Sequence, residues 1–160
     1  MLSIQVSDIK DFMSHLLSKD TFDHFYFIEA SIKMGVSYQI QGRINEGFYD
    51  TSVEQTLNRE FCYWKEIRHR IFDIIKGKRL PLSCKIVLGL SKQSISYLIA
   101  HNNSSFREED IEGIYVNILY DPKNLLITTG ISYKNFSLDK SLEYAFDEYL
   151  AKFLKEKAVI

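Results

Sequence analysis

Apolar side chains recur every two residues in some segments and every three to four residues in others. The same succession of such segments occurs twice along the chain. The pattern predicts a short strand, an amphipathic helix and a hairpin over 2–44, and the same elements again over 84–133. The apolar stripe of the first helix consists of Ile9, Phe12, Met13, Leu16 and Leu17, and that of the second contains Ile95, Leu98 and Ile99. Strands with one apolar face favour antiparallel hairpins, so two such units predict one shared, mostly antiparallel sheet.

Turn residues and helix caps mark the ends of these elements. Met34-Gly35 predicts the first hairpin turn, and Asp121-Pro122-Lys123-Asn124 predicts the second. Ser7, Ser91 and Ser137 each precede an apolar helical stripe. We expect these serines to cap three helices, because a serine oxygen at that position accepts a free backbone N–H.

Two longer helices are predicted to cover the sheet. One spans 52–76 and ends at Gly77, although a break near Asn58 would leave a loop and one shorter helix. The other spans 138–156. The prediction is therefore a single α+β domain, 1–160, with a mostly antiparallel sheet built from two strand–helix–hairpin units and covered by these two helices.

Composition and charge narrow the classes of function. The chain has 160 residues, 46% of them apolar, and a formal net charge of −1, so its overall charge favours neither nucleic acid nor an anionic membrane. No stretch approaches the ~20 apolar residues of a membrane span, and we expect no export signal. Cys62 and Cys84 are the only cysteines, and a core of this size needs no disulfide. We expect a cytoplasmic protein with two buried or half-buried free thiols.

The stretch from Trp64 to Lys85 contains the best candidate for a binding surface. Seven cations stand there against two acids, beside aromatic rings. Lysine and arginine neutralise phosphates while a ring stacks on a base, so this composition favours an anionic partner such as nucleic acid. The alternative is a solvated helix whose basic end complements the helix dipole. The candidate residues are Trp64, Lys65, Arg68, Arg70, Lys76, Lys78 and Arg79.

A weaker candidate lies between the first helix and its hairpin. Asp20, Asp23 and His24 combine carboxylates with an imidazole, and such groups hold divalent metals or move protons. The same residue types are typical of turns and caps, and a fourth ligand is lacking. We therefore expect no metal and no cofactor. Gly77-Lys78 does not make a phosphate loop either, because Phe72 stands where that motif needs its first glycine.

Four short segments carry a resemblance to a known family. They are Asp20-Thr21-Phe22-Asp23-His24-Phe25, Ile75-Lys76-Gly77-Lys78-Arg79-Leu80-Pro81-Leu82, Thr128-Thr129-Gly130 and Leu138-Asp139-Lys140. Over nearly its full length, the chain resembles a family of small uncharacterised proteins from Firmicutes. That family is a domain of unknown function, so the resemblance implies a bacterial, cytoplasmic protein and no particular activity.

In architecture alone, the two predicted units resemble one domain of the DNA sliding clamps. Each clamp domain is built from two such units and points basic helices at DNA. Here the first helix carries Asp8, Lys10 and Asp11, and the second has little charge beyond Lys92. The resemblance therefore implies a clamp-like fold without the basic helix faces of a DNA-encircling clamp.

Three hypotheses for function follow from these patterns. The first is a non-enzymatic binding or scaffolding module that contacts an anionic partner through 65–85. The second is an enzyme whose site the fold assembles near Asp20, Asp23 and His24. The third is a homodimer joined through a strand edge or the C-terminal helix, because Ala158-Val159-Ile160 is apolar for a free tail. None of the three involves a membrane.

Overall fold

The computed structural model describes residues 1–49 and 59–160, and within these ranges it contains six strands and four α-helices. The strands are β1 Ser3–Gln5, β2 Tyr26–Lys33, β3 Ser37–Gln41, β4 Ser83–Gly89, β5 Ile111–Tyr120 and β6 Leu125–Tyr133. The α-helices are α1 Ile9–Leu17, α2 Trp64–Ile75, α3 Lys92–His101 and α4 Ser141–Glu156. Short 3-10 turns occur at Glu46–Phe48 and Glu108–Asp110.

The strands form one sheet in the order β1-β6-β5-β4-β2-β3, with every neighbouring pair antiparallel. The predicted α+β architecture, with two strand–helix–hairpin units sharing a sheet, is confirmed. The two units are nevertheless paired differently. β4 lies beside β5 of its own unit, whereas β1 lies at the far edge of the sheet beside β6 of the other unit. The first unit therefore supplies both edge strands of the sheet, β1 and β3.

One face of the sheet is apolar and carries the helices. On β4, Cys84, Ile86 and Leu88 are buried and lie opposite buried residues of β5, while Lys85 between them is exposed. Residues that lie opposite each other on neighbouring antiparallel strands point to the same face of the sheet, so this alternation extends from strand to strand. The buried side chains of all four helices join these strand residues in one core. The opposite face is mostly polar, and Asn117 donates a hydrogen bond to Thr128 there at 3.3 Å.

Two of the three predicted helix caps are wrong. α1 is capped by Asp8 instead of Ser7, because the Asp8 carboxylate accepts the N–H of Asp11 at 3.0 Å. Ser91 caps α3 as predicted, accepting the N–H of Ser94. α4 begins at Ser141, after a turn in which the Ser137 hydroxyl accepts the N–H of Asp139. Serine and aspartate oxygens near a chain turn compete for the same donors, so sequence alone does not say which of them is used.

Of the predicted helix over 52–76, the part from Trp64 to Ile75 is observed. Residues 50–58 lie outside the described ranges, and 59–63 are not helical. They form a ribbon instead, since the N–H of Cys62 donates to Gly42 at 2.9 Å and the N–H of Phe27 donates to Cys62 at 2.8 Å. Tertiary backbone pairing thus overrides the local apolar pattern, and the shorter helix that follows a break is the one observed.

The chain turns sharply after α2. The helix ends at Ile75, and Gly77 has a φ of +148°, a backbone conformation that favours glycine. Residues 76–82 then cross to the start of β4, where the N–H of Leu82 donates to the carbonyl of Lys33 at 2.8 Å. We call the first part of this segment, residues 76–79, the basic turn. All four of its residues are exposed, so the chain leaves the helix at the surface.

Candidate binding surface between α1 and α2

Trp64 is the residue that fixes α2 against α1. It is fully buried, its ring packs against Phe27, and its indole Nε1 donates to the carbonyl of Leu16 at 2.8 Å. This bond satisfies a backbone carbonyl in the last turn of α1, where helical partners are lacking. The Trp64 ring therefore offers no exposed face on which a base could stack.

Ion pairing at its first turn determines where α2 begins. The Glu66 carboxylate accepts the N–H of Tyr63 at 2.6 Å and the Arg59 guanidinium at 2.6 and 2.9 Å. The hydrogen bonds from Arg59 hold the pKa of Glu66 below its ordinary value. Arg59 also lies over the Tyr63 ring, 4.6 Å from its centroid. These contacts lie where the ribbon ends and the helix starts.

Arg68 and Asp23, predicted as members of two separate sites, bind each other. Arg68 Nε and Nη2 donate to the two Asp23 oxygens at 2.8 and 3.1 Å, and Nη1 donates to the carbonyl of Leu17 at 3.4 Å. Both side chains are largely buried. Such a fork-to-fork pair occupies the donors that would grip a phosphate and the oxygens that would bind a metal. The pair is a second tie between α2 and the loop that follows α1.

The other predicted cations are exposed but do not form one patch. Lys65 lies in the first turn of α2, Arg70 lies on a different side of the helix from Lys65, and Lys76 follows the last helical residue. Lys76 pairs with Asp73 at 3.0 Å, and neither Lys78 nor Arg79 forms an ion pair with a described residue. The positive charge is therefore concentrated in the basic turn, at the end of the helix where the dipole favours cations.

An apolar groove opens beside the basic turn, between α1 and α2. It has a volume of about 520 Å³. Its apolar walls include Ile9, Met13 and Leu17 of α1, Phe72 and Ile75 of α2, and Leu80 of the following segment. Its two charged lining residues are Lys10 and Lys76, and no carboxylate from the described residues lines it. An apolar groove rimmed by cations suits a ligand that is both apolar and acidic.

Sequence reasoning missed this groove. One signal was present, because Leu80-Pro81-Leu82 is an apolar run inside a turn, and Leu80 and Leu82 are about two-thirds exposed in the structure. Phe72 was a second signal, since it falls outside the buried stripe of α2 and is itself exposed. Neither signal was sufficient, because the distance between α1 and α2 cannot be deduced from periodicity.

Asp20 and His24 lie at a different place, a cavity of about 230 Å³ between the 20–25 loop and α4. Tyr149 and Lys157 of the C-terminal region line it as well. Asp23 is not among its lining residues, so the predicted trio is divided between two environments. In residues 1–49 and 59–160 no group of three metal-binding side chains comes together.

The cavity offers acid–base groups and one hydroxyl with a nearby base. Thr21 lines it, and the Thr21 hydroxyl lies 2.9 Å from His15 Nδ1. The third member of a triad is not in place, since the Asp11 carboxylate is 3.8 Å from His15 Nε2, and Lys19 lies nearer at 3.4 Å. A hydroxyl with a base that is not itself oriented by a hydrogen-bonded carboxylate is a weak nucleophile.

Both cysteines are free thiols, as predicted. Cys84 is buried in the core, and burial raises its pKa to about 12. Cys62 is half-buried, and burial raises its pKa as well. The thiolate is the reactive form, so neither residue has the character of a catalytic nucleophile.

The apolar C-terminus folds back onto its own chain. Val159 is buried in the core, and its N–H donates to the carbonyl of Leu154 at 2.9 Å. Ala158 has a φ of 55°, which turns the chain after α4. Part of the apolar C-terminus that suggested a dimer contact is thus buried against its own chain, while Ile160 remains 45% exposed.

Within the described ranges, none of the helices combines the length and apolar composition needed to cross a lipid bilayer.

Comparison with known proteins identifies a family and no activity. No curated protein matches the chain, and no solved structure does, so the resemblance to sliding clamps and the Firmicutes origin stay predictions. One family model matches residues 15–160, and the chain accordingly belongs to that family, a family of unknown function (DUF5721).

Proposed function

We propose that this chain is a non-enzymatic, cytoplasmic binding module. Its contact surface consists of the basic turn and the groove between α1 and α2, and its partner is anionic. The observation that carries this proposal is the sign of the charge around the groove. Lys10 and Lys76 line the groove, and Lys78 and Arg79 follow directly, without an ion pair to any described residue.

The rigidity of the surface also supports the proposal. Trp64 and Arg68 tie α2 to the end of α1 and to the loop that follows it, so the two walls of the groove are held before any partner arrives. Preorganised walls reduce the entropy that is lost on binding. The cations themselves remain in water, so they form new contacts without first breaking buried ones.

A charge-reversal variant tests this surface. We expect Lys76→Glu/Lys78→Glu/Arg79→Glu to weaken binding of a fluorescent polyglutamate peptide by about 30-fold or more. Three exposed charge contacts of up to about 1 kcal/mol each are lost, and repulsion is added. Binding is measured by fluorescence anisotropy at low ionic strength, with a labelled single-stranded oligonucleotide as the second probe.

The matched control is Lys134→Glu/Lys152→Glu/Lys155→Glu, which changes the net charge equally at exposed positions away from the groove. It should bind both probes nearly as well as the original chain after correction for net charge. Equal losses in the two triple variants would show that only overall charge matters, and the proposed surface would then be abandoned.

A second candidate function is catalysis in the 230 Å³ cavity. Asp20 and His24 line it together with Tyr149 and Lys157, so titratable groups converge in a concave site. The distances at His15 make this candidate weaker, because no complete nucleophile–base–acid chain is formed by described residues. Turnover of a chromogenic ester or phosphate that disappears in both Thr21→Val and His24→Gln would favour it over a binding role.

A further inference from the structure

Given the proposed binding role, we infer that the groove accepts an acidic amphipathic helix from a partner protein. The helix places its apolar side chains between α1 and α2 and its carboxylates beside Lys10, Lys76 and the basic turn. This inference rests on the proposed function and narrows it to one partner chemistry. The shape of the walls, the pairing of the strand beneath them and the charge at the rim each support it.

The walls of the groove have helical spacing. Ile9, Met13 and Leu17 stand four residues apart on α1, so they form one continuous ridge. Phe72 and Ile75 stand three residues apart on α2 and form the facing ridge. The space between two helical ridges fits the side chains of a third helix, which repeat every three to four residues.

An extended peptide does not fit this place as an added strand. Strand addition requires an unpaired sheet edge. The strand residue at the groove is Tyr120 of β5, and β5 is an interior strand. Tyr120 pairs with Cys84 on one side and with Leu125 on the other. Binding must therefore depend on side chains entering the groove, which is how a helix docks.

The positive charge at the rim of the groove favours a partner helix that carries carboxylates. The charged lining residues are Lys10 and Lys76, of which Lys76 also pairs with Asp73, and the adjacent basic turn adds the exposed Lys78 and Arg79. Nucleic acid satisfies the charge but not the apolar walls, and the one tryptophan nearby is buried. A segment that alternates carboxylates with apolar anchors satisfies both features at once.

A peptide library tests the inference with the whole chain. Yeast cells display helices of about 18 residues, five turns, with Leu, Ile, Met or Phe on one face and Glu, Gln, Lys or Ala elsewhere. We expect selection on the labelled chain to enrich glutamate over lysine on the positions flanking the apolar face. The same residues in scrambled order, with no common apolar face, should not be enriched.

Two substitutions with matched controls locate the binding. Leu80→Ser should weaken a selected peptide about 10-fold or more, because an apolar contact is lost, whereas Leu138→Ser should leave binding unchanged. Leu138 is 82% exposed and stands away from the groove, so both changes remove a surface leucine. Lys10→Glu should weaken binding in the same way, and Lys134→Glu should not.

The outcomes separate this inference from the proposed function. Enrichment of acidic helices that are sensitive to Leu80→Ser and Lys10→Glu supports it. No enrichment, or binding that is insensitive to both changes, overturns it. If polyglutamate or the oligonucleotide still binds through the basic turn while helices do not, the helix is rejected and the anionic surface stands.

Discussion

Trp64→Ala is expected to lower the free energy of unfolding by about 3–5 kcal/mol, the range for removing a large buried aromatic side chain. Trp64 has no exposed surface, and its removal leaves a cavity beside Phe27. The carbonyl of Leu16 also loses the indole donor that lies 2.8 Å away. The measurement is urea unfolding followed by far-ultraviolet circular dichroism, because the variant has no tryptophan to report fluorescence.

Trp64→Phe is the control that separates packing from hydrogen bonding. It keeps most of the ring but removes the donor, so we expect a smaller loss of about 1–3 kcal/mol, the cost of an unsatisfied buried carbonyl. A loss below about 1 kcal/mol for Trp64→Ala would contradict the buried position and the tie between α2 and α1.

Gly42→Ala is expected to cost about 3 kcal/mol, because the new methyl group has no room and the backbone has to move. A Cβ at this position would lie 1.8 Å from the carbonyl oxygen of Phe27. Gly42 also joins two backbone pairs, donating to Ile28 at 2.8 Å and accepting from Cys62 at 2.9 Å. A shift of Gly42 therefore loosens the ribbon that leads into α2. The free energy of unfolding is again measured in urea.

Gly130→Ala serves as the matched control. Gly130 also lies in the sheet, on β6, but a Cβ there would meet no atom within 4 Å. Alanine should be neutral or slightly stabilising at this position, since glycine loses more conformational freedom on folding. Equal stability of the two variants would mean that the close approach at Gly42 does not exist.

Local pattern predicted most of the sheet, and the reasons are physical. Alternation on β4 and β5 indicates which side chains enter the core, although Val87 of β4 is buried as well, and Asp121 and Pro122 supply the turn that joins β5 to β6. The order of the strands, including the position of β1 beyond β6, could not be predicted in this way. A strand of three residues carries too few side chains to specify its neighbour.

The candidate site was predicted only in part, because its properties depend on distance. Charge placed the basic turn correctly at the surface, as Lys78 and Arg79 are both exposed. The same charge count could not show that Arg68 is held by Asp23, which is 45 residues away in the chain. Tryptophan is a residue type that often stacks on bases, and only the packing of α2 on α1 shows that Trp64 is buried.

The most direct test of the proposed binding surface is a map of amide chemical shifts in the ¹⁵N-labelled chain during titration with the polyglutamate peptide. The largest changes should occur in residues 76–82, with smaller ones along α1 at 9–17, and both should fade as salt is added. Changes centred instead on α3, α4 or the open face of the sheet would contradict the proposal that the partner binds between α1 and α2.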